Sequence, residues 1–166
     1  MSSVKVDTYV AANELALRDA LARVAEDNFY ALIEPANGGW RARWSAHSDW
    51  IDATVPFRAG ARAIEAGARD GALRCRLPRR LARDLAAAFL GLHEDEVALD
   101  ADVVGDMAGE FANMVCGSWL TATFPSALFD LERPEVMREL EPPPDGWYVA
   151  LLNGQPMGIS LAVLEA

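Results

Sequence analysis

The chain has 166 residues, 52% hydrophobic and 24% charged, with a net charge of −10. This balance supplies a packed core without disulfide or metal staples and excludes wholesale disorder. No apolar run reaches membrane-spanning length, so membrane insertion is not expected, and an acidic field disfavours nucleic acid and anionic lipid surfaces.

The two cysteines, Cys75 and Cys116, both sit in apolar patterns and do not make a disulfide framework. Buried thiols in a reducing cytoplasm are the expectation. The first residues lack the apolar core of a secretion signal. One domain over residues 1–166 is expected, with no sequence repeat. A local exception to the acidity is the cluster Arg74, Arg76, Arg79, Arg80 and Arg83. It reads either as a solvated strand edge and helix start or as a patch for an acidic partner.

In chain order, residues 4–9 carry a short strand pattern. From 11 to about 33, Leu17, Leu21, Val24, Asn28 or Phe29, and Leu32 recur at helical spacing, with Arg18, Glu26 and Asp27 opposite. Pro35, Gly38 and Gly39 end that helix. Residues 40–44 are strand-like. The segment 51–57 then sets Ile51, Ala53, Val55 and Phe57 against Asp52 and Thr54, a strand with one buried face. Pro56 donates no ladder hydrogen bond, which puts this strand at an edge or makes it locally irregular.

Residues 60–71 are turn-rich, with a short strand expected at 62–66. Residues 72–77 alternate again, with Leu73, Cys75 and Leu77 inward. Pro78 suits a helix start, Leu81, Leu85 and Ala88 or Phe89 form that helix's apolar face, and Gly91 is its stop. Asp100 is the N-cap expected for a long helix over 101–121, with Asp102 favouring the dipole. A loop follows through Pro125 and Pro134, then the stiff connector Glu141-Pro-Pro-Pro-Asp-Gly. Strands at 147–152 and 157–164 are joined by Asn153-Gly154, a strong hairpin signal. This order predicts an α+β fold, a mainly antiparallel sheet with long helices packed on one face.

Several chemistries find no support. His47 and His93 lie far apart in loop-like sequence, and nothing local builds a histidine metal site or a Ser-His-Asp triad. The phosphate-cradling glycine loops are absent. Gly158-Ile-Ser160-Leu-Ala162 falls inside a strand pattern rather than at a strand-to-helix turn. Trp40, Trp44 and Trp50 have no basic groove around them, so core and sheet packing is their expected role.

The long helix holds a different pattern. Asp106, Glu110, Asn113 and Gly117 recur at i, i+4, i+7 and i+11 and share one stripe. Val103, Met107, Phe111 and Met114 or Val115 line the expected core face. A carboxamide accepts and donates hydrogen bonds and stays uncharged, so a rigidly held one can orient water. A carboxylate one turn away can pair with a partner's lysine or arginine. These are either solvated helix residues or groups suited to entering another protein's site. They give too few ligands for a metal centre.

Asp106, three residues, Glu110, two residues, Asn113 and a later proline, Pro134, together resemble the signature of the CheX/CheC/FliY chemotaxis phosphatases. Asn113-Met-Val-Cys-Gly117 and the order of elements resemble that family too. The resemblance implies an enzyme that hydrolyses the aspartyl phosphate of a CheY-type response regulator. By the same resemblance, Glu110 docks on the regulator's active-site lysine and Asn113 positions the attacking water. Asp106 and Pro134 would support the placement of the helix and the shape of the loop. No cofactor is expected on this chain, since the Mg2+ belongs to the regulator. Twenty residues separate Asn113 from Pro134, slightly fewer than the family pattern. Only one such motif is present, which resembles the CheX type, a homodimer joined through strands; the strand with Pro56 and the C-terminal hairpin are its candidate edges. The alternative is a non-catalytic regulator-binding or flagellar-switch-like module of the same fold.

Overall fold

Strand alternation organises the molecule, a computed structural model that describes residues 7–36, 40, 49–93, 96 and 100–164. In β2 (Trp50–Ala59), Ile51, Ala53, Val55 and Phe57 face the core, and in β3 (Gly71–Pro78) so do Leu73, Cys75 and Leu77. The two strands pair antiparallel from Trp50 opposite Pro78 to Phe57 opposite Gly71. Next to β3 lies β7 (Gln155–Val163), and next to β7 lies β6 (Tyr148–Leu152). The hairpin turn between them places Asn153 and Gly154 at φ 49° and 76°, the left-handed pair that a tight two-residue turn requires. A short β1 (Ile33–Pro35) closes one edge on β6. At the other edge, β4 (Phe129–Leu131) and β5 (Glu135–Glu139) both pair with β2, end to end. The order is β1-β6-β7-β3-β2-β4, with β5 also on β2, and every pairing is antiparallel.

The helices whose spans lie among the described residues are α1 (Asp7–Phe29), α2 (Ala61–Glu65), α3 (Arg79–Leu90) and α4 (Ala101–Thr123). The long ones lie on one face of the sheet. Leu17, Leu21 and Val24 of α1, Leu81 and Leu85 of α3, and Phe111, Val115 and Trp119 of α4 form one apolar cluster with the inward strand residues. Rings lock it: Phe29 meets Phe111 edge-on at 5.4 Å, and Phe57 lies 5.8 Å from Trp119. Burial of this size is the main stabilising contribution in a domain of this length.

The opposite face of the sheet is held by an ion pair. Arg76 donates from Nε and Nη2 to the two carboxylate oxygens of Asp52, at 2.5 and 2.7 Å. Its Nη1 donates to the carbonyls of Glu141 and Pro142. The proline connector is thereby laid across the sheet, with Pro143 buried over Gly158, where a Cβ would stand 2.7 Å from the proline Cγ. One member of the expected basic cluster is thus neither a solvated edge nor a free patch.

Five expectations change. The segment 7–9 is helical rather than strand, and residues 4–6 lie outside the described residues. α1 stops at Phe29 because Tyr30 turns left-handed at φ 51°. The hairpin then captures the chain: the Leu32 N–H donates to Asn153 Oδ1, and the Asn153 N–H to the Leu32 carbonyl. Residues 33–35 therefore join the sheet. The strand expected at 62–66 is helical through Glu65, as α2, with Ala63 buried. β4 and β5 occupy part of what read as a loop. Of the segment expected as strand at 40–44 only Trp40 is described, and it is helical; His47 also lies outside the described residues.

Pro56 resolves to the second of its two alternatives. β2 is not an edge strand, and the C-terminal hairpin is not one either, since β1 covers β6. The Pro56 carbonyl accepts the Glu132 N–H at 2.9 Å, in the break between β4 and β5. The N–H and C=O of one strand residue point to the same side, so the missing proline N–H faces that break.

Candidate functional site

α4 begins where Asp100 caps it, its side chain accepting the Asp102 N–H at 3.0 Å. Val104, Met107, Ala108, Phe111, Ala112, Val115, Cys116, Trp119 and Leu120 are buried along it. Val103, expected on the core side, is 38% exposed; Val104 takes the core position. The broad buried face has a cause in the sheet edge. The helix rests on the core with one flank and on β5 and the break before it with the next. On that second flank, a Cβ at Gly105 would lie 3.5 Å from Val136 Cγ1. At Gly109 it would lie 3.2 Å from Pro134 Cβ and 3.3 Å from Val136 Cγ2. Two glycines four apart let the helix sit close on the edge.

The polar stripe lies on the flank that remains. Asp106 and Glu110 are exposed, while Asn113 and Gly117 are half-buried. Among the described residues, none of the three side chains has a hydrogen-bonding or ionic partner. A Cβ on Gly117 would meet nothing within 4 Å, so the space one turn beyond Asn113 is open. Pro134 stands half-buried against Gly109, the residue before Glu110. The motif and the distant proline are therefore brought together, and the twenty-residue spacing reaches. Gly105, Gly109 and Val136 were not singled out as site residues; the small residues at i and i+4 beside the stripe were the available signal.

Asp106 and Glu110 of the stripe stand open to solvent. Three cavities of about 370, 380 and 460 Å³ lie elsewhere and include none of its residues. Among the described residues no group of three His, Cys, Asp or Glu could hold a metal ion. The two thiols are buried and held in the protonated form: burial pushes the Cys116 pKa up to about 12, and burial pushes Cys75 up further. A carboxylate and a carboxamide on a rigid helix, facing outward, cannot complete a hydrolytic centre alone. They can add one dipole and one charge to a centre that another molecule brings.

A seven-stranded antiparallel sheet, among the described residues, with long helices packed on one face is the fold shared with CheX, CheC-like and FliY chemotaxis proteins. The family model of the chemotaxis phosphatase CheX matches residues 61–142, which span α2, β3, α3, α4, β4 and β5. Over this stretch, just under half of its length, the chain is CheX-like in sequence. Solved structures share the fold. The chemotaxis protein CheX from Vibrio vulnificus is 18% identical, over 91% of this chain and 95% of its own, with a TM-score of 0.63. CheX from Desulfovibrio desulfuricans is 15% identical, over 93% and 99%, with a TM-score of 0.62. CheX from Borrelia burgdorferi, in a complex with CheY, BeF3 and Mg2+, is 12% identical, over 92% and 97%, with a TM-score of 0.56. No curated protein sequence matches the chain significantly.

Proposed function

We propose that the protein is a phosphatase of a CheY-type response regulator, with Asn113 positioning the water that attacks the aspartyl phosphate and Glu110 docking on the regulator's lysine. The observation that carries this reading is the outward placement of Glu110 and Asn113 on one rigid helix with open space at Gly117. The family match and the Borrelia complex with CheY support the partner.

The division of labour follows from the residues. The regulator supplies the phosphoryl group and the Mg2+ and lysine that neutralise its charge. The Asn113 carbonyl oxygen accepts a hydrogen from water and turns a lone pair toward phosphorus, in line with the aspartyl oxygen that leaves. An amide is too weak a base to take the proton early, which suits a loose transition state. Glu110 fixes the approach by pairing with a cation. Asp106 holds the same outward flank one turn back, and Pro134 seats the helix. The protein would work in the cytoplasm as a homodimer. The free sheet edges among the described residues, β1 and the β4–β5 pair, are the candidate joints.

The test is phosphate loss from a panel of magnesium-bound phosphorylated regulators, with and without the protein. Acceleration for at least one regulator is expected, together with a loss of about a hundredfold or more in Asn113→Ala. No acceleration across the panel, or full activity in that variant, overturns the assignment. A complex without turnover would instead mark a non-catalytic binding module.

A further inference from the structure

The outer face of the sheet, away from the motif helix, holds a cavity of about 380 Å³ lined by Thr54, Ala72, Arg74, Arg76, Pro144, Trp147, Ser160 and Ala162. Strand register builds it. Thr54, Arg74 and Ser160 stand in one row across β2, β3 and β7, and Ala72 and Ala162 stand in the next. The alanine row leaves a depression beside the longer side chains. The wall is Trp147, seated against Gly158, where a Cβ would lie 3.2 Å from its ring. Arg76 braces it, with its guanidinium carbon 5.0 Å from the ring centroid.

The polar groups of this cavity are donors. Arg76 is spent on Asp52, on two carbonyls and on Glu139 at 3.6 Å. Arg74 is exposed and lies 6.0 Å from the Trp147 centroid. Its Nε donates to Thr54 Oγ1 at 3.2 Å, and among the described residues its terminal nitrogens have no acceptor. The Glu139 carboxylate, which feels its charge, accepts the backbone N–H of Leu140 and Glu141. Thr54, having accepted from Arg74, still has its own hydroxyl proton to give, and the Ser160 hydroxyl is buried at the floor.

We propose that this cavity binds a small monocarboxylate carried on a flat apolar group. The carboxylate would take the two terminal nitrogens of Arg74, a geometry that suits a planar fork, with Thr54 and Ser160 as further donors. The apolar group would lie against the Trp147 ring over Ala72 and Ala162. The volume falls at the small end of ligand sites. One cation whose terminal nitrogens have no acceptor among the described residues, in a chain of net charge −10, favours a monoanion over a phosphate dianion.

Benzoate is the probe, read by amide and indole N–H shifts in a two-dimensional nitrogen–proton spectrum of the full chain. Saturable millimolar shifts at Trp147, Thr54 and Ser160 are expected, with benzyl alcohol and inorganic phosphate producing none at the same concentration. Arg74→Ala, an exposed position, should weaken benzoate binding by about tenfold or more. Ala162→Phe should fill the cavity and abolish the shifts while the rest of the spectrum is retained. The proposal is overturned if benzoate gives no saturable shift at these residues, if Arg74→Ala binds it as well as wild type, or if phosphate alone saturates the site equally.

Discussion

Gly109 and Pro134 meet where the motif helix crosses the broken sheet edge, so closely that a Cβ on the glycine would stand 3.2 Å from the proline Cβ. The contact joins two parts of the chain separated by the whole of the loop after α4. It also explains why the edge is broken there: the gap between β4 and β5 carries Pro134 up against the helix. Glu110 follows Gly109 directly, so the height of the stripe above the sheet is set at this point.

Replacing Gly109 tests that relationship. Alanine in a helix interior gains about 1 kcal/mol over glycine, while an extra methyl in a tight contact costs about 1–3 kcal/mol. Gly109→Ala should therefore lie between neutral and about 2 kcal/mol destabilised, and Gly109→Val well beyond it. Adding Pro134→Gly to Gly109→Ala should recover part of the loss, since one of the two close neighbours is removed. Guanidinium unfolding of the set measures it, and strict additivity of the two changes would deny the contact.

Glu110 should act on docking rather than on the chemical step. Glu110→Gln should raise the KM for the phosphorylated regulator by roughly thirtyfold or more, the equivalent of the ~2 kcal/mol or more that removing one partner of a charge pair desolvated on binding costs, and leave kcat nearly unchanged. Glu110→Lys should be worse, and the wild-type KM should rise with salt. Steady-state dephosphorylation at two ionic strengths checks this; a pure kcat effect would move Glu110 into the reaction itself.

Arg76 and Asp52 form a buried bidentate pair at 2.5 and 2.7 Å. Removing one partner strands the other charge, so Arg76→Ala should cost about 3–5 kcal/mol. The double change Asp52→Leu with Arg76→Met should sit much closer to wild type, because apolar residues of similar size avoid the desolvation cost. The same arginine holds the Glu141 and Pro142 carbonyls, so proteolysis of the connector should quicken in the single variant.

The buried thiols predict an alkaline limit. Both folded-state values are raised by burial, so the protonated thiol belongs to the folded state. That contribution is complete below the ordinary thiol value, about 8.5, and is lost as pH rises above it. Stability should fall as pH rises from about 8.5 toward about 12, the raised value of Cys116, and more gently in Cys116→Ala. A thiol reagent should leave Cys75 and Cys116 untouched in the native protein and label both after unfolding.

Much of the fold is legible where local pattern and tertiary burial agree. The alternation of Ile51, Ala53, Val55 and Phe57, the Asn153–Gly154 turn, the Gly91 stop and the Asp100 cap all appear as expected. β4 and β5 escape that reading because they are edge strands. β5 is exposed along almost its whole length, so its residues carry no period of two, and only pairing with β2 makes it a strand. The end of α1 escapes for a related reason. Leu32 keeps the helical spacing, but the Asn153 side chain, 121 residues away, holds its backbone.

The sequence by itself determined a helix with a stripe of Asp106, Glu110 and Asn113, because helical periodicity is a local property of the chain. It also contains no phosphate-loop motif and no local histidine cluster beside that stripe. Tertiary structure decided what the stripe faces. The glycine flank at 105 and 109 is taken up by Val136 and Pro134, and the core flank by the sheet. Glu110 is left in the open and Asn113 half-sheltered beside free space. Which flank of a helix stays free depends on contacts with residues distant along the chain, and no local pattern encodes these.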